Sequence, residues 1–139
     1  LIDLSDGLAS ELNHIAQKSN VSLEIDCDKI PTQPEMLNLS LDINSNCLSD
    51  ALTTLSDWQL FGGEDYQLLA TFDPKILEAT GSLPGDFKVI GRVLQKSAAP
   101  FGSIEPSESP IVMLLTSDGK CRPLKTEKIF NHFGSPTSR

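Results

Sequence analysis

The chain has 139 residues, enough for one domain with a real core. Hydrophobic residues make up 39% and charged residues 22%, which argues against both a disordered polymer and a membrane protein. Eleven basic side chains against nineteen acidic ones leave a formal charge of −8, a balance that disfavours nucleic acid and anionic lipid as partners.

In chain order, Leu1-Ile2-Asp3-Leu4 is a short apolar stretch broken by Ser5-Asp6-Gly7. Leu8, Leu12, Ile15 and Ala16 then recur at helical spacing, which predicts a helix ending near Ser19 and Asn20. Ser5 is a candidate N-cap, and Asp6 and Glu11 lie toward the positive end of the helix dipole. Val21, Leu23, Ile25 and Cys27 alternate with polar residues, the pattern of a half-buried strand. Residues 31–46 are polar, with Met36, Leu37 and Leu39 hinting at a short helix, and residues 47–55 read as weakly helical. Gly62-Gly63 breaks that pattern, and residues 66–72 read as a buried strand. Asp73-Pro74 is an N-cap followed by proline at the first helical position, so residues 75–80 should be a short helix. A strand interrupted by Gly91 is expected over 87–94, and a loop over 97–110. Residues 111–116 and 121 onward should pair as a hairpin through Ser117-Asp118-Gly119-Lys120. Strands and helices interleave irregularly, which favours an α+β fold with a mixed sheet. One domain over residues 1–133 is expected, with a disordered tail over 134–139.

Cys27, Cys47 and Cys121 are odd in number and lack metal-ligand spacing, so they read as ordinary small apolar residues in a reducing cytoplasm. The longest apolar runs, such as Ile111-Val112-Met113-Leu114-Leu115, are too short to span a bilayer. No basic region followed by an apolar one suggests a signal peptide. The chain opens at Leu1 rather than at methionine, inside a motif, and reads as a domain cut from a longer polypeptide.

Three clusters could carry chemistry. In Asp3-Leu4-Ser5-Asp6-Gly7-Leu8, two carboxylates flank a hydroxyl just before a helix. Their repulsion and the attraction of the helix terminus are both a few tenths of a kcal/mol, up to about 1, so stability neither demands nor forbids the pair. A hard divalent cation shared with phosphate oxygens would give the arrangement a purpose; a plain helix cap with solvated acids is the other reading. In Phe61-Gly62-Gly63-Glu64-Asp65-Tyr66, paired glycines allow close backbone approach, and two carboxylates follow. As neighbours on a strand, Glu64 and Asp65 would face opposite sides; a turn with solvated acids is the alternative. Near the end, Ile129-Phe130-Asn131-His132-Phe133 could cover a ring-shaped ligand or simply anchor the C-terminus. His14 reads as a surface residue, and Trp58 as core rather than as a ligand stack. With no nucleophile–base order, P-loop or dinucleotide fingerprint, the residues describe a cation-dependent anion site, which suits phosphoryl transfer.

In order, Asp3-Leu4-Ser5-Asp6-Gly7-Leu8, Gly62-Gly63-Glu64-Asp65-Tyr66-Gln67-Leu68, Ile90-Gly91-Arg92-Val93 and Phe130-Asn131-His132-Phe133 resemble the motifs of the thiamine-monophosphate kinase family, in its C-terminal domain. The family's relatives include aminoimidazole ribonucleotide synthetase, selenophosphate synthetase and a hydrogenase maturation factor. The resemblance implies a three-layer α/β/α arrangement around a mixed sheet. It also implies ATP-dependent phosphorylation of thiamine monophosphate to thiamine diphosphate by direct transfer, with magnesium and no enzyme nucleophile. By matching positions, Asp3 and Asp6 would be magnesium ligands, Ser5 would touch ATP, and Glu64 and Phe130 would contact the thiamine moiety. An N-terminal domain would hold most of the ATP and form a homodimer, so this chain alone would be inactive. Gln67 replaces the family's usual glutamate, Ile129 its glycine, and Glu11 stands where aspartate is common. A non-catalytic binding module, or a relative with another acceptor, are the competing readings.

Overall fold

The computed structural model describes residues 1–64, 67–83, 85–95 and 112–125. Among them the chain runs β1 (Ile2–Asp3), α1 (Leu8–Ser19), β2 (Val21–Asp26), a 3-10 turn (Cys27–Lys29), α2 (Pro34–Ile43) and α3 (Leu48–Phe61). It continues through β3 (Leu68–Leu69), α4 (Pro74–Thr80), β4 (Gly91–Gln95), β5 (Val112–Leu115) and β6 (Cys121–Pro123). The expected loop over 97–110, the aromatic-histidine segment and the tail from Gly134 lie outside the described residues.

The fold is α+β with a mixed sheet, as the alternation of elements implies. Four strands lie in the order β4-β2-β5-β6, and a separate two-stranded ladder joins β1 to β3. β2 is antiparallel to β4 and parallel to β5, while β5 and β6 form the expected hairpin. Alternation along β2 buries Leu23 and Ile25 on one face and leaves Ser22, Glu24 and Asp26 half-buried on the other. Against the buried face pack Leu8, Leu12 and Ala16 of α1, spaced one turn apart, with Val112 and Leu124 completing the core. Fully burying a side chain such as Leu12 contributes about 1.5–3 kcal/mol. At the other end, α2 and α3 meet through small residues, Ser40 and Ala51, both completely buried. The Asn44 amide clamps this pair by donating to the Ser40 carbonyl and to Thr54 Oγ1, at 2.7 and 3.0 Å.

Turn chemistry follows the sequence closely in places. Asn20 ends α1 in the left-handed conformation. Asp73 caps α4 by accepting the Lys75 amide at 2.9 Å, with Pro74 at the first helical position. In the β5–β6 turn, Gly119 takes a φ of 73°. There the Thr116 hydroxyl and the Lys120 amide donate to Asp118, and with the Arg122 and Lys120 charges they hold its carboxyl at about 2, below the usual 3.8.

Several expectations need correction. Ser5 does not cap α1: the Gly7 carbonyl accepts the first helical bond, from the Glu11 amide, so Gly7 holds the cap position without a side-chain cap and Ser5 lies two residues too early. The strand expected over 66–72 shrinks to Leu68–Leu69, since its ladder partner β1 is only two residues long, and Leu68 and Phe72 are exposed. Residues 87–90 precede β4 instead of joining it. The helix expected to fade near residue 55 runs on to Phe61. All three cysteines are free thiols; Cys27 is half-buried, whereas Cys47 and Cys121 are exposed and so are not core residues. No helix among the described residues is long and apolar enough to cross a membrane.

Gly91 begins β4 because nothing larger fits. A Cβ there would collide with the Glu24 carbonyl oxygen of β2 and lie 2.9 Å from Ile25 Cδ1. Backbone oxygen in a ladder cannot retreat, so Gly91→Ala should destabilise by about 1–3 kcal/mol, the scale of overpacking. A thermal melt should show a loss of roughly 5–15 °C; an unchanged midpoint would mean that the β2–β4 ladder is not so close.

Candidate functional site

The two acidic clusters, sixty residues apart in sequence, meet through the backbone. The Leu4 amide donates to the Gln67 carbonyl at 2.8 Å, and the Glu64 amide donates to the Ser5 carbonyl at 2.9 Å. Beyond the first of these bonds, on the side away from Glu64, β1 and β3 pair, with Asp3 opposite Leu68. Glycine makes the approach possible. Gly7 has a φ of 92°, and a Cβ on it would lie 3.0 Å from the Gly62 carbonyl oxygen; a Cβ on Gly63 would lie 3.1 Å from that of Ser5. Gly62 closes α3 by donating its amide to the Trp58 carbonyl at 2.9 Å.

Glu64 departs from the expected strand geometry. Its φ is 62°, in the left-handed region that non-glycine residues rarely occupy, and its side chain is exposed. Asp65 and Tyr66 lie outside the described residues, and the alternation expected across Glu64 and Asp65 falls there with them. A residue held at positive φ by a tertiary hydrogen bond has its side chain aimed by the fold rather than by local preference.

Asp3 is exposed, and Ser5 and Asp6 are half-buried on the loop that leads into α1. The bond from Glu64 to Ser5 brings the backbone of Glu64 to the loop that carries Asp3 and Asp6. No group of three or more His, Cys, Asp or Glu side chains among the described residues is arranged to hold a metal ion. Asp3 and Asp6 by themselves still suit magnesium, which takes one or two carboxylates and fills its octahedron with phosphate oxygens and water. Just inside α1, Glu11 is 3% exposed. It sits in the helix's first turn, where the dipole favours an anion, and pairs with His14 Nδ1 at 3.2 Å. His14 itself is about half exposed, as a surface residue should be.

Beside this junction opens a cleft of about 1010 Å³. Its floor is apolar, from Leu8, Leu12, Leu23 and Ile25. Glu64, Asp86, Lys88 and Arg92 supply its charges, although Arg92 also pairs with Glu24 at 2.8 Å. Leu4, Gly62, Gly63, Glu64 and all of Ile90-Gly91-Arg92-Val93 line it, so three of the four sequence motifs border one space. Asp3, Ser5 and Asp6 do not line it; they stand next to it, joined through Leu4 and Glu64. Phe130 lies outside the described residues. Sequence reasoning missed Trp58, Gln59 and Met36, which also border the cleft. Trp58 is half-buried and not core; its place one helical turn before Gly62 was the available signal.

No family model matches the chain. It is 40% identical over 70 residues to the thiamine-monophosphate kinase of Aquifex aeolicus (strain VF5), covering 50% of this chain and 20% of that protein. To the thiamine-monophosphate kinase of Pyrococcus horikoshii it is 39% identical over 92 residues, covering 66% of this chain and 25% of the relative. Among solved structures, AaThiL complexed with AMPPCP and TMP superposes with a TM-score of 0.54 at 32% identity, covering 86% of this chain and 29% of that one. The chain therefore spans between a fifth and a quarter of the length of these curated relatives. In sequence and in backbone fold alike, this chain resembles the thiamine-monophosphate kinases.

Proposed function

We propose that this chain is the C-terminal, substrate-side domain of an ATP-dependent kinase, cytoplasmic and homodimeric through a further domain, that converts thiamine monophosphate to thiamine diphosphate. The observation that carries this reading is the backbone junction of the Asp3–Ser5–Asp6 loop with Glu64 at the edge of one cleft. The similarity to enzymes named for that reaction, and to a structure holding AMPPCP and TMP, supports it. A three-layer α/β/α arrangement completes the proposal.

In this reading Asp3 and Asp6 hold magnesium, which would neutralise charge on the phosphates. Ser5 contacts ATP. Glu64, with Phe130, binds the thiamine moiety, its carboxylate complementing the thiazolium cation. A terminal oxygen of thiamine monophosphate attacks the γ-phosphorus of ATP while the bond to the departing ADP breaks. Such transfer needs positioning and charge stabilisation more than a covalent intermediate. That requirement agrees with a site built of carboxylates, a hydroxyl and backbone.

The test is direct. The full-length polypeptide, given ATP, magnesium and thiamine monophosphate, should form thiamine diphosphate, quantified by chromatography, and chelation by EDTA should abolish the product. A folded, ATP-binding protein that forms none would mean that the acceptor is another molecule.

A further inference from the structure

One wall of the cleft has no role in the phosphate chemistry. Trp58 lies on the last turn of α3, one turn ahead of Gly62 and six residues before Glu64, and both Trp58 and Glu64 line the cleft. Its neighbour Gln59 ties down the segment opposite. The Gln59 side-chain amide donates to Thr32 Oγ1 and, at 3.5 Å, to the Ile30 carbonyl. That fastens residues 30–33, the entry to α2, beside the end of α3. Met36, half-buried on the first turn of α2, borders the same space. The result is a recess with an aromatic face, a thioether and apolar edges, and a carboxylate further along.

A core tryptophan would be covered, and a solvent-facing one would not line a cavity with a carboxylate. Half-buried indole in a cleft offers a flat face to a flat ligand, and Met36 adds a polarisable contact. We propose that Trp58 is a positioning residue for the acceptor, stacking on a heteroaromatic ring of thiamine monophosphate while Glu64 faces its cationic part. This deepens the kinase reading and rests on it. It also gives residues 31–46, which carry none of the four motifs, a purpose: they supply the lip that confines the ring.

The experiment uses the full-length protein with Trp58→Leu and Trp58→Phe. Calorimetry first establishes whether the wild type binds thiamine monophosphate; if it does not, the kinase reading fails on wild-type data alone, and the role of Trp58 falls with it. Given binding, Trp58→Leu should raise the KM for thiamine monophosphate by about tenfold, the scale of a stacking contact with added cation–π attraction. The KM for ATP should stay within about twofold, and Trp58→Phe should restore most of the loss. Thiamine monophosphate should quench indole emission in the wild type, and that quench should vanish in Trp58→Phe, a change that a merely structural tryptophan would not show. An unaltered KM in Trp58→Leu, or a parallel rise in both KM values with a lower Tm, would overturn the assignment. Should Trp58→Leu fail to fold, the quench and its loss in Trp58→Phe decide alone, and binding without a quench overturns it.

Discussion

Glu64→Gln in the full-length protein is expected to raise the KM for thiamine monophosphate by about 10- to 100-fold while leaving the KM for ATP and the thermal midpoint nearly unchanged. Glutamine keeps the size and the hydrogen-bonding reach of glutamate and removes only its charge. A hydrogen bond or contact to a charged group is worth about 1.5–3 kcal/mol, which converts to that range. The backbone at Glu64 sharpens the test. With φ at 62°, the residue is held in a conformation that costs an ordinary side chain about 1–2 kcal/mol. Its amide bond to Ser5 at 2.9 Å holds it there. Glu64→Gly would relieve that cost, offset in part by the greater freedom of glycine in the unfolded chain. Stability should therefore hold or rise while acceptor binding falls as far as in Glu64→Gln. Steady-state kinetics beside thermal melts measure both quantities. Normal KM in Glu64→Gln would remove the carboxylate from the acceptor site, and a large drop in Tm for Glu64→Gly would make the left-handed glutamate a stability element instead.

How much of this was legible in the sequence depends on how local the physics was. The α4 cap at Asp73-Pro74, the Asn20 stop of α1, the alternation of β2 and the turn at Gly119 are set within a few residues, and the chain spells them out. The mixed sheet followed from the irregular order of elements. Where tertiary bonds decide, reading failed. Ser5 has the right chemistry for an N-cap, but the chain, pinned to Glu64 through the Ser5 carbonyl, begins its helix two residues later, at Gly7. Residues 66–72 have a strand's composition, yet β1 offers only two residues to pair with. The site followed the same division. Asp3, Ser5, Asp6 and Glu64 stood out as clusters, but nothing in sequence spacing could show two backbone hydrogen bonds joining them. Trp58 was misread because a lone tryptophan is core more often than not, and only the cleft beside α3 reveals its half-open face.

The junction itself should tolerate substitution poorly. Gly7→Ala and Gly62→Ala are each expected to destabilise the fold and, in the full-length protein, to lower the proposed activity more than stability alone explains. At Gly62 a Cβ would lie 2.5 Å from the Trp58 carbonyl oxygen, the acceptor of the bond that ends α3. Either that last turn opens or the segment carrying Glu64 swings away. At Gly7 two effects add: a φ of 92° that alanine resists, and a Cβ only 3.0 Å from the Gly62 carbonyl oxygen. Strain of the first kind costs on the order of 1–3 kcal/mol, and crowding of the second about as much again. Because Gly7 packs against Gly62 itself, their effects should not be additive: a shift that relieves one clash moves the other, and the double variant should lose less stability than the sum of the singles, by about 0.5–3 kcal/mol. Denaturant titration of the four proteins closes the cycle. Additive losses would mean that the loop before α1 and the end of α3 yield independently, and that the Asp3–Ser5–Asp6 segment does not depend on Gly62 for its place beside Glu64.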